Sequence, residues 1–335
     1  MTVKNPILDF RLKLEVELKT KTDNVKGVTI ADVYGDPTFG LDMSFEITKD
    51  FHSKPTNSTI TVYNMSHELY NLILQEGNAF RLSCARGNQD YTPFYIGYPL
   101  TMVKIPKETV LTANTGFMKQ DANADRAGQN DLETVITLAN YGFAHLDKSY
   151  RADVTPETII KDCMEALGLP RGNIDKDIED TLKKSHIKKG FTSRGEVSKT
   201  LDTLGNHFGF TWNTNDMKMN IYGKKHTDTK TYGILLTPEN SATPERQDDK
   251  FKARTKTVQK ANKKKNIKGV KATTIQKEER GFMVRTQLLP YLQVGSTCIL
   301  RNFGMNDADG TKYIYKLKHV GSNTGELCYT EVYCV

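Results

Sequence analysis

Side-chain chemistry starts with histidine, and this chain has His52, His67, His145, His186, His207, His226 and His319. None stands at metal-ligand spacing from another His or from a Cys. His67-Glu68 opens like the helix of a zinc protease, which needs a second His four residues after the first. Asn71 occupies that place, so the reading fails. His207 sits beside an apolar helical stripe and reads as a satisfied structural residue rather than a base. Cys84, Cys163, Cys298, Cys328 and Cys334 are widely spaced and never form a CxxC pair. They read as reduced, mostly buried thiols of a protein made in a cytoplasm, not as a disulfide framework or a zinc site. Asp307-Ala308-Asp309-Gly310 lacks the further oxygen donors and closing Glu of a calcium loop, and reads as a turn. There is no GxSxG elbow, Walker loop or dinucleotide fingerprint. Nothing singles out a carboxylate pair among the 40 acidic residues. The expectation is a non-enzyme with no catalytic residue, cofactor or metal.

One segment does have a distinct chemistry. Of the net charge of +7, a block from Lys250 to Lys277 contributes eleven Lys or Arg residues and no acid. The rest of the chain is slightly acidic. Lys260, Lys263, Lys264, Lys265, Lys268 and Lys271 are the candidate contacts to a partner or to DNA. Such a run can neutralise phosphates, but it lacks the interleaved aromatics that stack bases: after Phe251 the next aromatic is Phe282. A solvated loop, or docking on an acidic protein, ranks above nucleic-acid binding.

The elements around these residues are mostly strands. Leu8, Phe10, Leu12, Leu14, Val16 and Leu18 alternate with Asp9, Arg11, Lys13, Glu15, Glu17 and Lys19. Period two puts one apolar and one charged face on a single strand. Val28 to Ile30, Leu41 to Ile47, Thr59 to Tyr63, Phe80 to Cys84, Phe94 to Leu100 and Leu132 to Leu138 continue the pattern. Ser66 is placed to cap a short helix over His67 to Leu74. Residues 107–131 are polar, rich in Asn, Asp and Gly, and predict an exposed loop.

The middle of the chain changes grammar. Thr155-Pro156-Glu157 starts a helix that Gly168 stops, with Ile159, Ile160, Cys163, Met164 and Leu167 on its apolar side. Ser193-Arg194-Gly195-Glu196 has the spacing of a capping box before a second helix that Gly209 ends. Phe210 to Trp212 and Met217 to Ile221 predict a hairpin. After this the strands return: Val284 to Leu288, Gly295 to Leu300, Tyr313 to His319 and Leu327 to Val335.

At 335 residues the chain predicts two or three domains, and 37% hydrophobic with 26% charged residues leaves much polar surface. No apolar run reaches the roughly 18 residues that span a bilayer, and the N-terminus lacks the apolar core of a signal peptide. The expected fold is mainly β with a central α/β domain between two antiparallel β regions. The boundaries are 1–149 for the first β region, 150–225 for the α/β domain, and 226–335 for the second β region with its basic loop at 250–277.

Two ordered sets of motifs carry a resemblance. Gly40-Leu-Asp-Met-Ser-Phe-Glu-Ile-Thr-Lys49, then Lys54-Pro-Thr-Asn-Ser-Thr-Ile-Thr-Val-Tyr-Asn-Met-Ser66, resembles the N-terminal domain of baseplate hub proteins from bacteriophage contractile tails. In that family a strand ending in a Tyr-Asn-aliphatic-Ser turn feeds a short helix, as Val62 to Leu74 would here. Phe94-Tyr-Ile-Gly97 looks like the next strand pair. Val284-Arg-Thr-Gln-Leu-Leu-Pro290, Leu292-Gln-Val-Gly295, Gly310-Thr-Lys-Tyr-Ile-Tyr-Lys316 and His319-Val-Gly-Ser-Asn-Thr-Gly325 resemble the C-terminal signature. The resemblance implies a homotrimer in the virion tail baseplate, made in the host cytoplasm, joining a six-fold tail tube protein to a three-fold central spike protein. It also implies that the two β regions are tube-like antiparallel β-barrels flanking the α/β domain, so that three chains supply six barrels in a ring and a trimer meets a hexamer, with a lumen for DNA. Residues 107–131 and 250–277 match no motif of the family. They are the candidates for contacts with baseplate wedge proteins, the tape-measure protein or DNA in transit. Phage-derived injection machines would use a similar part. The competing expectations are a basic nucleic-acid-binding protein acting through Lys250–Lys277 and, third, a tail-associated cell-wall hydrolase.

Overall fold

The computed structural model describes residues 10–18, 27–32, 41–51, 57–86, 90–106, 132–139, 144–215, 218–223, 233–247, 281–305, 307–322 and 328–335. The chain is mainly β with a small α/β part, as expected. Strand β1 (Phe10–Leu18) buries Leu12, Leu14, Val16 and Leu18 and leaves Arg11, Lys13, Glu15 and Glu17 half-exposed. Each such leucine removed from water contributes about 2 kcal/mol, which fixes the face and hence the register. β1 lies between β2 (Gly27–Asp32) and β5 (Gly77–Arg86), so it is an interior strand. Its charged face is partly neutralised within the sheet, by Lys13 on Glu15 at 2.8 Å and Arg81 on Glu17 at 2.7 Å.

β3 (Met43–Asp50) and β4 (Asn57–Tyr63) pair antiparallel, and Asn64 follows with φ of 58°. Asn tolerates this left-handed geometry better than most residues. The turn delivers Ser66, whose Oγ accepts the Leu69 N–H at 3.1 Å and starts α1 (His67–Glu76). β6 (Thr92–Pro106) is long enough to serve two partners, its first half on β5 and its second on β7 (Leu132–Ala139). The change of partner coincides with a register shift between Pro99 and Thr101, where proline cannot donate to the ladder.

The middle of the chain folds around its own core. Thr155 Oγ1 accepts the Thr158 N–H at 3.4 Å to open α2 (Pro156–Leu167), and Gly168 closes it at φ 64°. Two elements had no clear sequence signal: β9 (Arg171–Ile174) and α3 (Lys176–Lys184). So did the short pair β8 (Lys148–Tyr150) and β10 (Phe191–Ser193). α4 (Val197–Phe208) ends at Gly209 with φ 78°. Its start corrects an expectation: there is no capping box. The α4 N-cap is Glu196, without a side-chain cap bond, while Ser193 Oγ is held by the Leu146 carbonyl at 2.9 Å and by Thr200 Oγ1 at 2.6 Å. A tertiary acceptor has outcompeted the local one. β11 (Phe210–Asn213) and β12 (Met219–Gly223) form the predicted hairpin, and β9 adds to β12 in parallel. Ile159, Cys163, Leu201, Trp212 and Ile221 pack between helices and sheet.

The C-terminal strands are β13 (Ile234–Leu236), β14 (Glu245–Gln247), β15 (Gly281–Gln287), β16 (Thr297–Leu300), β17 (Gly310–Ser322) and β18 (Tyr329–Cys334). β13 pairs with β16 in parallel; the other pairings here are antiparallel. The 13-residue β17 uses its first residues on β16 and its later ones on both β18 and β3. The ladder with β3 runs from Lys316 opposite Asp50 to Ser322 opposite Ser44. Among the described residues one 13-stranded sheet therefore passes through both β regions. Each region keeps an apolar cluster of its own, one around Leu14, Phe45 and Ile136, the other around Phe282, Leu300 and Leu317.

Candidate assembly surface

The features that set this molecule apart lie where its parts join and on the outer face of the shared sheet. Across the β3–β17 ladder the outward side chains are Ser44, Glu46 and Thr48 against Ser322, Val320 and Lys318. Lys318 Nζ reaches Glu46 at 2.8 Å, so an ion pair spans the seam between the N- and C-terminal strands. The Glu46 carboxylate in turn raises the Lys318 pKa. Further along, Arg285 bonds Glu331 at 2.9 Å, and the Tyr333 hydroxyl donates to the other oxygen of Glu331 at 2.9 Å. Thr59 and Thr61 on β4 lie beside Thr137 and Val135 on β7, and β6 adds the exposed Val103 and Ile105. Hydroxyls and paired charges, with a few aliphatic side chains on β6 and β7, make up this face.

Beneath that face sits the one fully buried histidine among the described residues. His319 Nδ1 lies 2.9 Å from Thr330 Oγ1, and its Nε2 has no hydrogen-bond partner. Burial, helped by the charge of Lys49, lowers its pKa to about 3, so the ring is neutral. It packs edge-on against Phe94 at 5.8 Å. His207, expected to be a satisfied structural residue, is instead exposed, its ring edge-on to Phe208 at 4.8 Å. α4 turns it away from the stripe of Leu201 and Leu204, into the rim of an apolar cleft formed with Ile187, Phe191 and Phe208. The distinction between the two histidines was missed because strand alternation placed His319 inward no more strongly than helical spacing placed His207.

An asparagine ladder fastens the α/β part to the sheet. Asn213 and Asn215 donate their side-chain amides to the carbonyls of Phe51 and Asp50, each at 3.3 Å. Asn220 donates to Asn213 Oδ1 at 3.0 Å and accepts the Asn173 N–H at 2.8 Å. Gly172 has to be glycine for this approach, since a Cβ there would fall 2.3 Å from Asn220 Oδ1. Beside the ladder opens a polar cavity of about 290 Å³, walled in part by Lys49, Arg171 and Lys218. The residue pattern does not reveal this junction, because Asn213 and Asn215 fall between the two strands of the predicted hairpin and Asn220 within the second of them.

The thiols behave as small core residues. Cys84, Cys163, Cys298 and Cys334 are buried, Cys328 is half-buried, and none is in a disulfide. Burial pushes the Cys163 thiol up to about 12. Asp307-Ala308-Asp309-Gly310 is a turn, tied down by Phe303 N–H on Asp309 at 3.2 Å and by Arg246 on Asp307 at 2.9 Å. Among the described residues, no three His, Cys, Asp or Glu side chains are grouped closely enough to hold a metal. No helix among them is long and apolar enough to cross a membrane. Lys260, Lys263, Lys264, Lys265, Lys268 and Lys271 lie outside the described residues, as does the loop at 107–131.

No protein-family model matches the sequence, and no curated protein does. The fold, however, is shared with solved structures over nearly its whole length. The 43 kDa tail protein of prophage MuSo2 from Shewanella oneidensis superposes with a TM-score of 0.55 at 10% identity, covering 97% of this chain and 96% of that one. A tail protein from Neisseria meningitidis MC58 gives 0.56 at 8% identity over the same shares. A chain of the Francisella PdpA–VgrG complex gives 0.56 at 10% identity, with 97% of this chain matched to 57% of that longer one. The fold is thus one found in two tail proteins, one of them from a prophage, and in a VgrG complex. It is the fold that the resemblance to baseplate hubs implies.

Proposed function

We propose that this chain is the structural hub of a baseplate in a contractile tail, of a phage or of a phage-derived injection machine. The observation that carries this reading is the β3–β17 ladder, which makes one continuous wall out of two β regions at opposite ends of the sequence. Its support is the end-to-end match in fold to two tail proteins, one of them from a prophage. In this reading residues 1–149 and 226–335 are tube-like modules, and 150–225 is an α/β module on their flank. Three chains close a ring of six β modules, presenting pseudo-six-fold symmetry to the tail tube protein and three-fold symmetry to the central spike protein. The hydroxyl-rich face, with its charges paired, lines a lumen through which DNA passes without being held. The basic segment with Lys260, Lys263, Lys264, Lys265, Lys268 and Lys271 meets a neighbour, whether a wedge protein, the tape-measure protein or passing DNA. The protein acts by binding and assembly, not by turnover, and resides in the tail baseplate after synthesis in the host cytoplasm.

Light scattering on the purified chain over a concentration series tests the reading. The expected result is a species of three times 37.8 kDa that dissociates only on dilution. A dimer or a tetramer that persists over the same range would contradict it, because neither adapts six-fold to three-fold symmetry.

A further inference from the structure

The polar cavity beside the asparagine ladder has a chemistry that nothing in the hub reading uses. It lies where β3, the β9–β12–β11 sheet and the segment before β16 meet. Three basic side chains line it, Lys49, Arg171 and Lys218, with Asn173, Asn215 and Gln293 among its amide-bearing walls. No lining residue among those described is acidic. Lys49 is only 2% exposed, so one cation belongs to the interior rather than to the surface. The charge of Lys49 is felt in the sheet, since it helps keep His319 neutral. Arg171 lines the cavity with one end of its guanidinium engaged by Glu179 on α3, at 2.8 Å.

The walls are also fixed before anything binds. Of the lining residues, Asn215 is held by the Asp50 carbonyl and Asn220 by Asn213 and the Asn173 N–H, so their amides do not need to be ordered by a ligand, while Asn215 Oδ1 keeps its capacity to accept a hydrogen bond. Preorganised amides with buried and rim cations favour an anion that also has amide or hydroxyl groups to share. A volume near 290 Å³ accepts one or two carboxylated residues of an extended chain. It is a concave pocket and cannot follow the line of phosphates of a nucleic-acid backbone, which needs a groove with charges along it.

We infer that this cavity is a docking site for an acidic peptide segment of another protein, which inserts a carboxylate between Lys49, Arg171 and Lys218 and shares its main-chain amides with the asparagine wall. Because the cavity joins the α/β part to the sheet, an inserted segment fastens that joint. The inference does not depend on the chain being a trimeric hub.

The test is calorimetric titration of the full chain with a tetraglutamate peptide, with tetraglutamine as its uncharged counterpart. The basic segment could also attract the peptide, so a variant with Lys263, Lys264 and Lys265 each changed to Glu is titrated alongside. Binding of tetraglutamate, unchanged in that triple variant, weakened at least tenfold by Lys218→Glu and untouched by Lys199→Glu, supports the site. Lys218 and Lys199 are both exposed, so neither change threatens the fold, which a melting curve confirms for each. Four results overturn it: no heat with tetraglutamate at millimolar concentration, equal binding of tetraglutamine, loss of binding in the triple variant, or full displacement of the peptide by equimolar inorganic phosphate.

Discussion

The residue that says most about the seam between the two β regions is His319. It sits on β17 opposite Ile47 of β3 and next to Thr330 of β18, with Lys49 and Phe94 close by. Its pKa in the fold is about 3, against 6.5 for an unperturbed ring, so the unfolded chain binds a proton that the folded chain refuses. Stability from this group is complete above pH 6.5 and is lost progressively as the pH falls toward 3. Each pH unit in that window costs about 1.4 kcal/mol. Between pH 7 and pH 4.5 the wild type should lose about 2.5 kcal/mol more than His319→Gln, in urea unfolding at both values. Parallel losses in the two proteins would remove the histidine from the account. The position was visible in the sequence as one more alternating residue. Its burial depended on which strands flank β17, and local spacing holds no information on that.

At the scale of elements, strands were readable wherever a buried face alternated with a wet one over six or more residues, as in β1, β3 and β17. The three-residue strands β8, β10, β13 and β14 gave no such signal, because three residues cannot display a period. Helix ends followed their caps at Ser66, Thr155, Gly168 and Gly209. At Ser193 they did not, because a tertiary partner took the hydroxyl. Pairing was the least legible property. The contact of β17 with β3 joins residues far apart in the chain, and two apolar faces of similar character can meet many partners. That ladder has a sensitive point at Gly321, opposite Phe45, where a Cβ would lie 2.6 Å from Cys328 Sγ and 2.9 Å from the Phe45 ring. Gly321→Val overpacks the seam and should cost about 2 kcal/mol in urea unfolding, whereas Val320→Thr, on the outward side, should cost less than about 0.5 kcal/mol. Equal costs would mean that the seam is not packed as described.

The molecule as a whole is a wall with an attached α/β part, and its candidate chemistry is divided between the outer face of that wall and the polar cavity at the joint. The sequence offered its fold class and the order β, α/β, β through pattern, and the likeness in fold to the two tail proteins extends over both ends of that order. The candidate site was far less legible. The basic segment announced itself by composition, while the asparagine ladder and the cavity beside it exist only once residues 49, 172, 215 and 293 are brought together. Removing residues 250–277 tests the division between wall and contact. The shortened chain should keep the native mass and melting temperature of the full one, within about 2 °C, and lose only its affinity for the neighbour the segment meets. A shortened chain that no longer assembles would place the segment in the ring itself.

The most direct measurement is electron microscopy of the purified, assembled chain viewed down its symmetry axis. The account predicts a closed ring with an open centre and six similar lobes related by three-fold symmetry. A particle without a central opening, or a two-fold arrangement of lobes, would contradict it.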